Sequence, residues 1–404
     1  MTELLSRRQF IQNCVIAVGG TLLAGISARD FILGRKESGL SLGFRNDAPG
    51  NLWKWSREAR FYTRAGALVR CELCPHECVL GENDRGFCRA RVVKAGKLYT
   101  LDYGNPCAVH VDPIEKKPFY HFHPTMQILS LAAAGCNLRC VNCQNWQISQ
   151  SKPEQTENQD LMPEQVVALC EEQRIPAIAF TYSEPIIYYE YVRDTAQLAR
   201  SKGILNAIVT AGFINPAPLR ELLKVMDAVT LDLKAFSEYS YRKITSARLA
   251  PILETIRIVK ESGVWLELSN LVVPTLSDNL DEIRRFCGWI VDTVGPDVPL
   301  HFLRFHPQYL LATMPPTAIE TLEDARAIAL KSGIHHVYVG NAPGHTAEQT
   351  YCPGCHTVLI ERDGFRVTAM NIKNGHCFQC GRSIAGVWDM LISSSTTLRQ
   401  DRLP

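Results

Sequence analysis

The chain carries almost no net charge: 43 Lys and Arg stand against 41 Asp and Glu, a formal balance of +2. Near-neutrality gives no electrostatic reason to expect nucleic acid or an acidic surface as partner. After residue 30, no stretch has the roughly 18 consecutive apolar residues that a membrane-spanning helix needs. No internal repeat or low-complexity run stands out. Charged residues at 21% and hydrophobic ones at 46% are ordinary for a folded chain, so a sizeable core is expected and wholesale disorder is not. A length of 404 residues suits roughly two or three domains. Cysteine is the residue in excess. There are 15, and eleven fall into three tight clusters. An odd number in a chain this long points to metal ligation rather than a disulfide framework.

Residues 1–30 read as a targeting segment. Ser6-Arg7-Arg8-Gln9-Phe10-Ile11 precedes an acid-free apolar stretch from Val15 to Ala28. This resembles a twin-arginine leader, a class that exports folded, cofactor-loaded proteins. Ile26 sits at the minus-three position if Ala28 ends the leader, which leaves an uncleaved anchor open. A membrane-associated or periplasmic protein is expected, with a cytoplasmic one as the alternative. Residues 31–60 read as a linker and 61–115 as a Cys-rich module. A core spans 116–345, a second Cys module 346–392, and a tail 393–404.

Within the core, strands and helices alternate. Expected strands are Gln127 to Ala134, Ala177 to Tyr182, Asn206 to Thr210, Ala228 to Lys234, Trp265 to Val273 and Leu300 to Phe305. Expected helices are Pro163 to Glu172, Ile187 to Lys202, Pro216 to Val225, Leu249 to Ser262, Leu280 to Val294 and Ala318 to Ser332. Six such units in series predict an α/β fold, a partial (β/α)6 barrel of the TIM type. A last strand, Val337 to Gly340, is expected to lead into the C-terminal Cys module.

Cys136, Cys140 and Cys143 form a CxxxCxxC just after the first barrel strand. Three thiolates on one short loop can hold three corners of a [4Fe–4S] cluster and leave one iron open. A barrel places functional residues on loops at the C-terminal ends of its strands, as here. The spacing in this context resembles the radical S-adenosylmethionine (SAM) enzymes, in the branch similar to pyruvate formate-lyase activating enzyme. More narrowly, it resembles the radical SAM member of the AmmeMemoRadiSam group. That likeness rests on Cys-Glu-Leu-Cys-Pro-His-Glu-Cys at 71–78, Asp112-Pro113-Ile114-Glu115-Lys116-Lys117-Pro118, and the run from Gly135 to Trp146. It continues through Thr181-Tyr182-Ser183-Glu184-Pro185, Asp232-Leu233-Lys234 and the C-terminal Cys pairs.

The resemblance implies an enzyme that binds SAM at the open iron, cleaves it reductively and uses the 5′-deoxyadenosyl radical to abstract hydrogen. The substrate would be a protein, a peptide or a small molecule. Glycyl-radical activation is the alternative activity, and a redox sensor or scaffold the non-enzymatic one. A low-potential electron donor is implied, with Memo-like and AMMECR-like proteins as partners. Glu184, ending the second strand, matches the place where the family binds the SAM amino group. Asp232 and Lys234 lie two apart on one strand and share a face, suited to clasping SAM or forming an internal salt bridge. Thr210 and Gly212 end the third strand where backbone could approach a ligand. Arg304 and His306 share a face at a later strand end, and Asn270 is a weaker candidate. Two positions depart from the family pattern. Asn142 stands where an aromatic commonly precedes the third cysteine, with Trp146 close by, and Ser183 replaces a frequent Asn.

Cys352, Cys355, Cys377 and Cys380 make two CxxC pairs separated by 21 residues, the spacing of a structural zinc ribbon. Iron of the rubredoxin kind would fit the same thiolates. Cys71, Cys74, Cys78 and Cys88, with His76 among them, suit either zinc or a second iron–sulfur cluster. Cys14, Cys107, Cys170 and Cys287 are scattered, the last two in helical patterns.

Overall fold

The structure, a computed structural model, describes residues 50–388. The leader with its paired arginines, the first part of the linker, Cys14 and the C-terminal tail lie outside the described residues.

The linker expectation fails for its last eleven residues. Gly50–Trp55 forms a 3-10 turn, and β1 (Arg57–Glu58) joins the front module. Leu52, Trp55 and Ala59 are buried there. A 3-10 turn and a two-residue strand are too short to show a hydrophobic period, which is why composition read as linker. The module continues with β2 (Tyr62–Ala65), β3 (Leu68–Cys71), β4 (Val79–Leu80), β5 (Arg91–Lys94) and β6 (Lys97–Thr100). These form two small antiparallel sheets, ordered β1-β6-β5 and β2-β3-β4.

The central sheet begins earlier than residue 116. Strand β7 (Ala108–Pro113) runs antiparallel to β8 (Gln127–Ala132). Then β9 (Ala177–Phe180), β10 (Leu205–Thr210), β11 (Ala228–Asp232), β12 (Trp265–Val272), β13 (Leu300–Arg304) and β14 (Val337–Gly340) add in sequence order, each parallel to the last. The fold is the expected partial barrel, but β14 belongs to it: Val337 pairs with Leu300, giving seven parallel strands. Burial of Val337 and Val339 in the main core, beneath the last helix, holds that strand in the sheet.

The crossovers are α1 (Trp146–Ser149), α2 (Pro163–Gln173), α3 (Tyr189–Ser201), α4 (Pro216–Leu223), α5 (Glu238–Thr245), α6 (Leu249–Ser262), α7 (Leu280–Thr293) and α8 (Ile319–Lys331). Their starts follow local chemistry. Proline occupies the first turn of α2 and α4, where its missing N–H costs nothing. The Asn279 side chain caps α7, accepting from the N–H groups of Asp281 and Glu282 at 3.0 Å each. Helices α1 and α5 are additions to the expected set.

Outward residues such as Ile178, Phe180, Val229 and Leu268 join the helices in the main core. Four inward positions near the N-terminal strand ends are alanine. Ala177, Ala179, Ala207 and Ala228 pack with Ile114, Phe119, Phe122 and Met126, which fill the lumen beside the N-terminal strand ends. Buried Glu267 ties that filling down, accepting N–H groups of Tyr120 at 3.0 Å and His121 at 2.8 Å, with His301 Nε2 at 2.7 Å. The C-terminal module of β15 (Thr350–Tyr351), β16 (Val358–Asp363), β17 (Arg366–Met370), β18 (Ile372–Lys373) and β19 (His376–Cys377) packs at this same end. Buried Arg362 donates to Tyr120 O at 3.0 Å and to Thr350 Oγ1 at 2.8 Å. With one end filled, functional side chains are confined to the C-terminal strand ends.

Candidate active site

The chain leaves β8 through Ala133 and Ala134 and turns at Gly135, whose φ of +99° only glycine adopts without strain. A Cβ there would lie 2.5 Å from the carbonyl oxygen of Cys88, so the front module packs directly on the turn. The loop that follows carries Cys136, Cys140 and Cys143 as free thiols. Helix α5 holds it from one side: Thr245 O accepts Arg139 N–H at 2.8 Å and Ile244 O accepts Val141 N–H at 2.9 Å. Asn137 Nδ2 donates to Phe213 O at 2.8 Å, and His76 Nε2 lies 2.8 Å from Asn137 O. Cys136 Sγ accepts Leu138 N–H at 3.3 Å, and Cys143 Sγ lies 3.0 Å from Ser149 Oγ. Burial pushes the Cys140 thiol up to about 12 and also raises Cys136 well above its ordinary value. Metal loading must therefore displace their protons.

Glu184, buried at the end of β9, interacts electrostatically with Cys136 and Cys140. Its Oε1 accepts Thr210 Oγ1–H at 2.6 Å and Ile186 N–H at 3.2 Å, and Oε2 accepts Ala211 N–H at 2.9 Å. Burial raises its pKa against those hydrogen bonds. Thr210 thus serves Glu184. Gly212 sits at φ +73°, a left-handed conformation that favours glycine, and a Cβ there would also crowd the Leu231 side chain at 2.8 Å. Lys234 Nζ lies 2.5 Å from Asp232 Oδ2, and Ser269 donates to the other carboxylate oxygen. Burial opposes the Lys234 charge, but Asp232 and then Cys140 hold its pKa above the ordinary range. The structure therefore gathers Cys136, Cys140, Cys143, Glu184, Asp232 and Lys234 at one end of the barrel.

His306 is exposed, with Nε2 3.2 Å from Asn341 O. Arg304 donates to Thr317 O at 2.8 Å, a tie within the fold. Asn270 Nδ2 donates to Leu233 O at 2.7 Å and steadies the Asp232 strand. Asn142 is buried with its Oδ1 unpaired, while Trp146 stacks on Tyr309 with ring centroids 5.4 Å apart. Gln308 Nε2 donates to Gln144 O at 2.9 Å beside that stack, joining the β13 end to the cysteine loop.

One contributor escaped the sequence reading. Tyr241 on α5 is buried with an unpaired hydroxyl and interacts with Cys140, Asp232 and Glu184. The 240, 241, 244, 245 pattern of buried positions on α5 was its available signal. Asp112, in the segment that the family likeness singled out, gathers a charge network of its own. It pairs with Lys117 at 2.6 Å and Lys116 at 2.7 Å, accepts Ser130 Oγ–H at 2.9 Å, and is hydrogen-bonded to Tyr182. Tyr182, at φ +65°, in turn accepts Asn145 Nδ2–H at 2.9 Å from beside the cysteine loop.

In the C-terminal module, Cys352 Sγ lies 3.6 Å from Cys380 Sγ and Cys355 Sγ lies 3.7 Å from Cys377 Sγ. All four sulfurs fall within 4.8 Å of one another, the spacing of a single-ion site. Among the described residues, no helix is long and apolar enough to cross a membrane.

Residues 131–289 match the model of the Radical SAM superfamily. An uncharacterized protein of Methanocaldococcus jannaschii is 44% identical over 331 residues, 81% of this chain and 98% of its own. A pyruvate formate-lyase-activating enzyme of Clostridium pasteurianum is 29% identical, covering 43% of this chain and 72% of its own. The pyruvate formate-lyase 1-activating enzyme of Escherichia coli strain K12 is 28% identical, covering 49% and 87%. The cysteine loop lies inside the matched region, on a parallel partial barrel with its polar cluster at the matching strand ends. The chain belongs to the radical SAM superfamily, and the protein is one of its enzymes.

Proposed function

We propose that Cys136, Cys140 and Cys143 hold a [4Fe–4S] cluster whose fourth iron binds SAM, and that the protein uses it for hydrogen abstraction. The donor set fits such a group: three free thiols on one loop, a Lys234 ammonium beside them and carboxylates at the ends of β9 and β11, on either side of β10. When bound, the cluster supplies an electron that cleaves SAM to a 5′-deoxyadenosyl radical. The chain's residues bind and orient. Lys234 offers an ammonium to a carboxylate, and Asp232 offers an acceptor to a hydroxyl or amine. Glu184 joins the ends of β9 and β10 and keeps the turn after Tyr182 in place. The filled N-terminal half of the lumen excludes water from below.

The observation that carries this reading is the convergence of the cysteine loop with Glu184, Asp232 and Lys234, because a sensor or scaffold needs thiolates and no second polar cluster. The substrate class extends over proteins, peptides and small molecules. Glycyl-radical activation is the second reading, favoured by the names of the Clostridium and Escherichia relatives. Memo-like and AMMECR-like proteins and a low-potential electron donor are the partners this reading adopts, with zinc in the C-terminal thiolates. The test is anaerobic reconstitution followed by EPR with and without SAM, then dithionite and an assay for 5′-deoxyadenosine. A signal perturbed by SAM, with nucleoside formed and lost in Cys140→Ala, is expected. A cluster indifferent to SAM, under conditions where a control enzyme turns over, would leave only the sensor reading.

A further inference from the structure

The front module contains a second arrangement of thiols that the activity above leaves unused. Cys71, Cys74, Cys78 and Cys88 line one small hollow, together with Leu73, Arg91 and Asn137. Their thiols are free. Among the described residues, the four C-terminal sulfurs close to within 4.8 Å of one another, whereas neither the front four nor the loop three make such a single-ion group. Thiols set apart around a hollow suit a body several atoms across, not one ion.

Arg91 gives independent support. It is 1% exposed and lines the hollow, and its Nη2 is engaged by Glu190 at 2.6 Å. Its Nε and Nη1 have no hydrogen-bond partner. Two buried, orphaned N–H donors carry a heavy penalty unless an acceptor meets them. Sulfides of an anionic cluster accept such hydrogen bonds, and hydrogen bonds to sulfur are among the features that set cluster potentials. Cys78 Sγ already accepts Phe87 N–H at 3.4 Å.

From the spacing, the hollow and the orphaned guanidinium, we infer that Cys71, Cys74, Cys78 and Cys88 ligate a second [4Fe–4S] cluster rather than zinc. The comparison with the loop thiols rests on the cluster reading proposed above. The site abuts that loop: Asn137, between Cys136 and Cys140, lines it, and Gly135 touches the Cys88 backbone.

The experiment takes the full-length chain, reconstituted anaerobically with iron and sulfide, in three forms. In Cys136→Ala/Cys140→Ala/Cys143→Ala the front module is untouched. About four iron and four acid-labile sulfide per chain are expected there, with the EPR of a reduced cluster. Zinc in place of iron, iron without sulfide, or no iron overturns the inference. In Cys74→Ser/Cys78→Ser, iron is expected to fall to about half of the wild-type content of roughly eight. An unchanged content overturns it as well. The two readings fail differently: loss of the loop cluster reading leaves iron unchanged in the loop variant, whereas loss of this one strips that variant of iron.

Discussion

Asp112 shows how one buried carboxylate organises charges that the alternation of strands and helices does not foretell. Burial would raise its pKa, but the Lys117 ammonium and hydrogen bonds from Lys116, Lys117 and Tyr182 hold it well below the usual carboxylate range. A carboxyl depressed in the folded state contributes stability that is present above its unfolded value and disappears as pH falls through the folded one. Asp112→Asn also strands Lys117, 2% exposed, and breaking a buried pair typically costs about 3–5 kcal/mol. The variant is expected to melt well below wild type at pH 7, with the gap narrowing below about pH 4, where the carboxyl of the unfolded chain takes up a proton while the folded one still does not. Thermal melts from pH 7 to pH 2 check this; a constant gap would mean that the loss is packing alone. Glu184→Ala should cost about 2–4 kcal/mol, because the buried Thr210 hydroxyl and Ala211 N–H lose their acceptor. Denaturant titration reads that directly. Asp232→Asn touches a partly exposed pair, so its melting point should move little while nucleoside formation drops about ten- to a hundred-fold.

The cysteine loop is positioned by elements far apart in sequence. Helix α5 accepts its N–H groups, the front module presses on Gly135, and the β13 end reaches it through Gln308 and Tyr309. Gly135→Ala combines a left-handed φ with a contact of 2.5 Å to backbone, which cannot swing aside as a side chain would. Iron retained after reconstitution should fall several-fold in that variant, and full retention would show that the front module can yield. Most of the sheet was legible because each strand is a short apolar run with turn residues beside it, and α2, α4 and α7 have a proline or Asn start. Strand β7 and helix α5 were not. The first carries polar His110 and Asp112 in a segment that reads as loop. The second is eight residues, rich in polar side chains and crowded between β11 and α6. Their pairing partners, not their own composition, decide their structure.

The molecule as a whole places its cysteine-rich modules differently about the barrel. The front module lies against the cysteine loop, and the C-terminal module closes the N-terminal strand ends through Arg362, Val387 and the Tyr120–His121 backbone. Chelation at the C-terminal thiols should therefore loosen the barrel floor while leaving the loop cysteines untouched. With zinc in these thiolates as proposed, treatment of the folded protein with a zinc chelator is expected to lower the melting temperature by several degrees, on the order of a 1–2 kcal/mol loss, with iron content unchanged. Loss of iron in parallel would place the metal elsewhere.

Cysteine spacing, the order of apolar runs and the Asp232–Lys234 pair were available from residue order alone, since ligand chemistry and strand periodicity act over a few neighbours; Glu184 came from the family resemblance. The linker boundary, the seventh parallel strand, Tyr241 and the Asp112 network were not. Each depends on contacts between segments tens of residues apart, where burial and hydrogen-bond satisfaction choose among locally equivalent conformations. The same holds for the front thiols: residue order admits zinc or a cluster, and the hollow with the orphaned Arg91 donors favours the cluster.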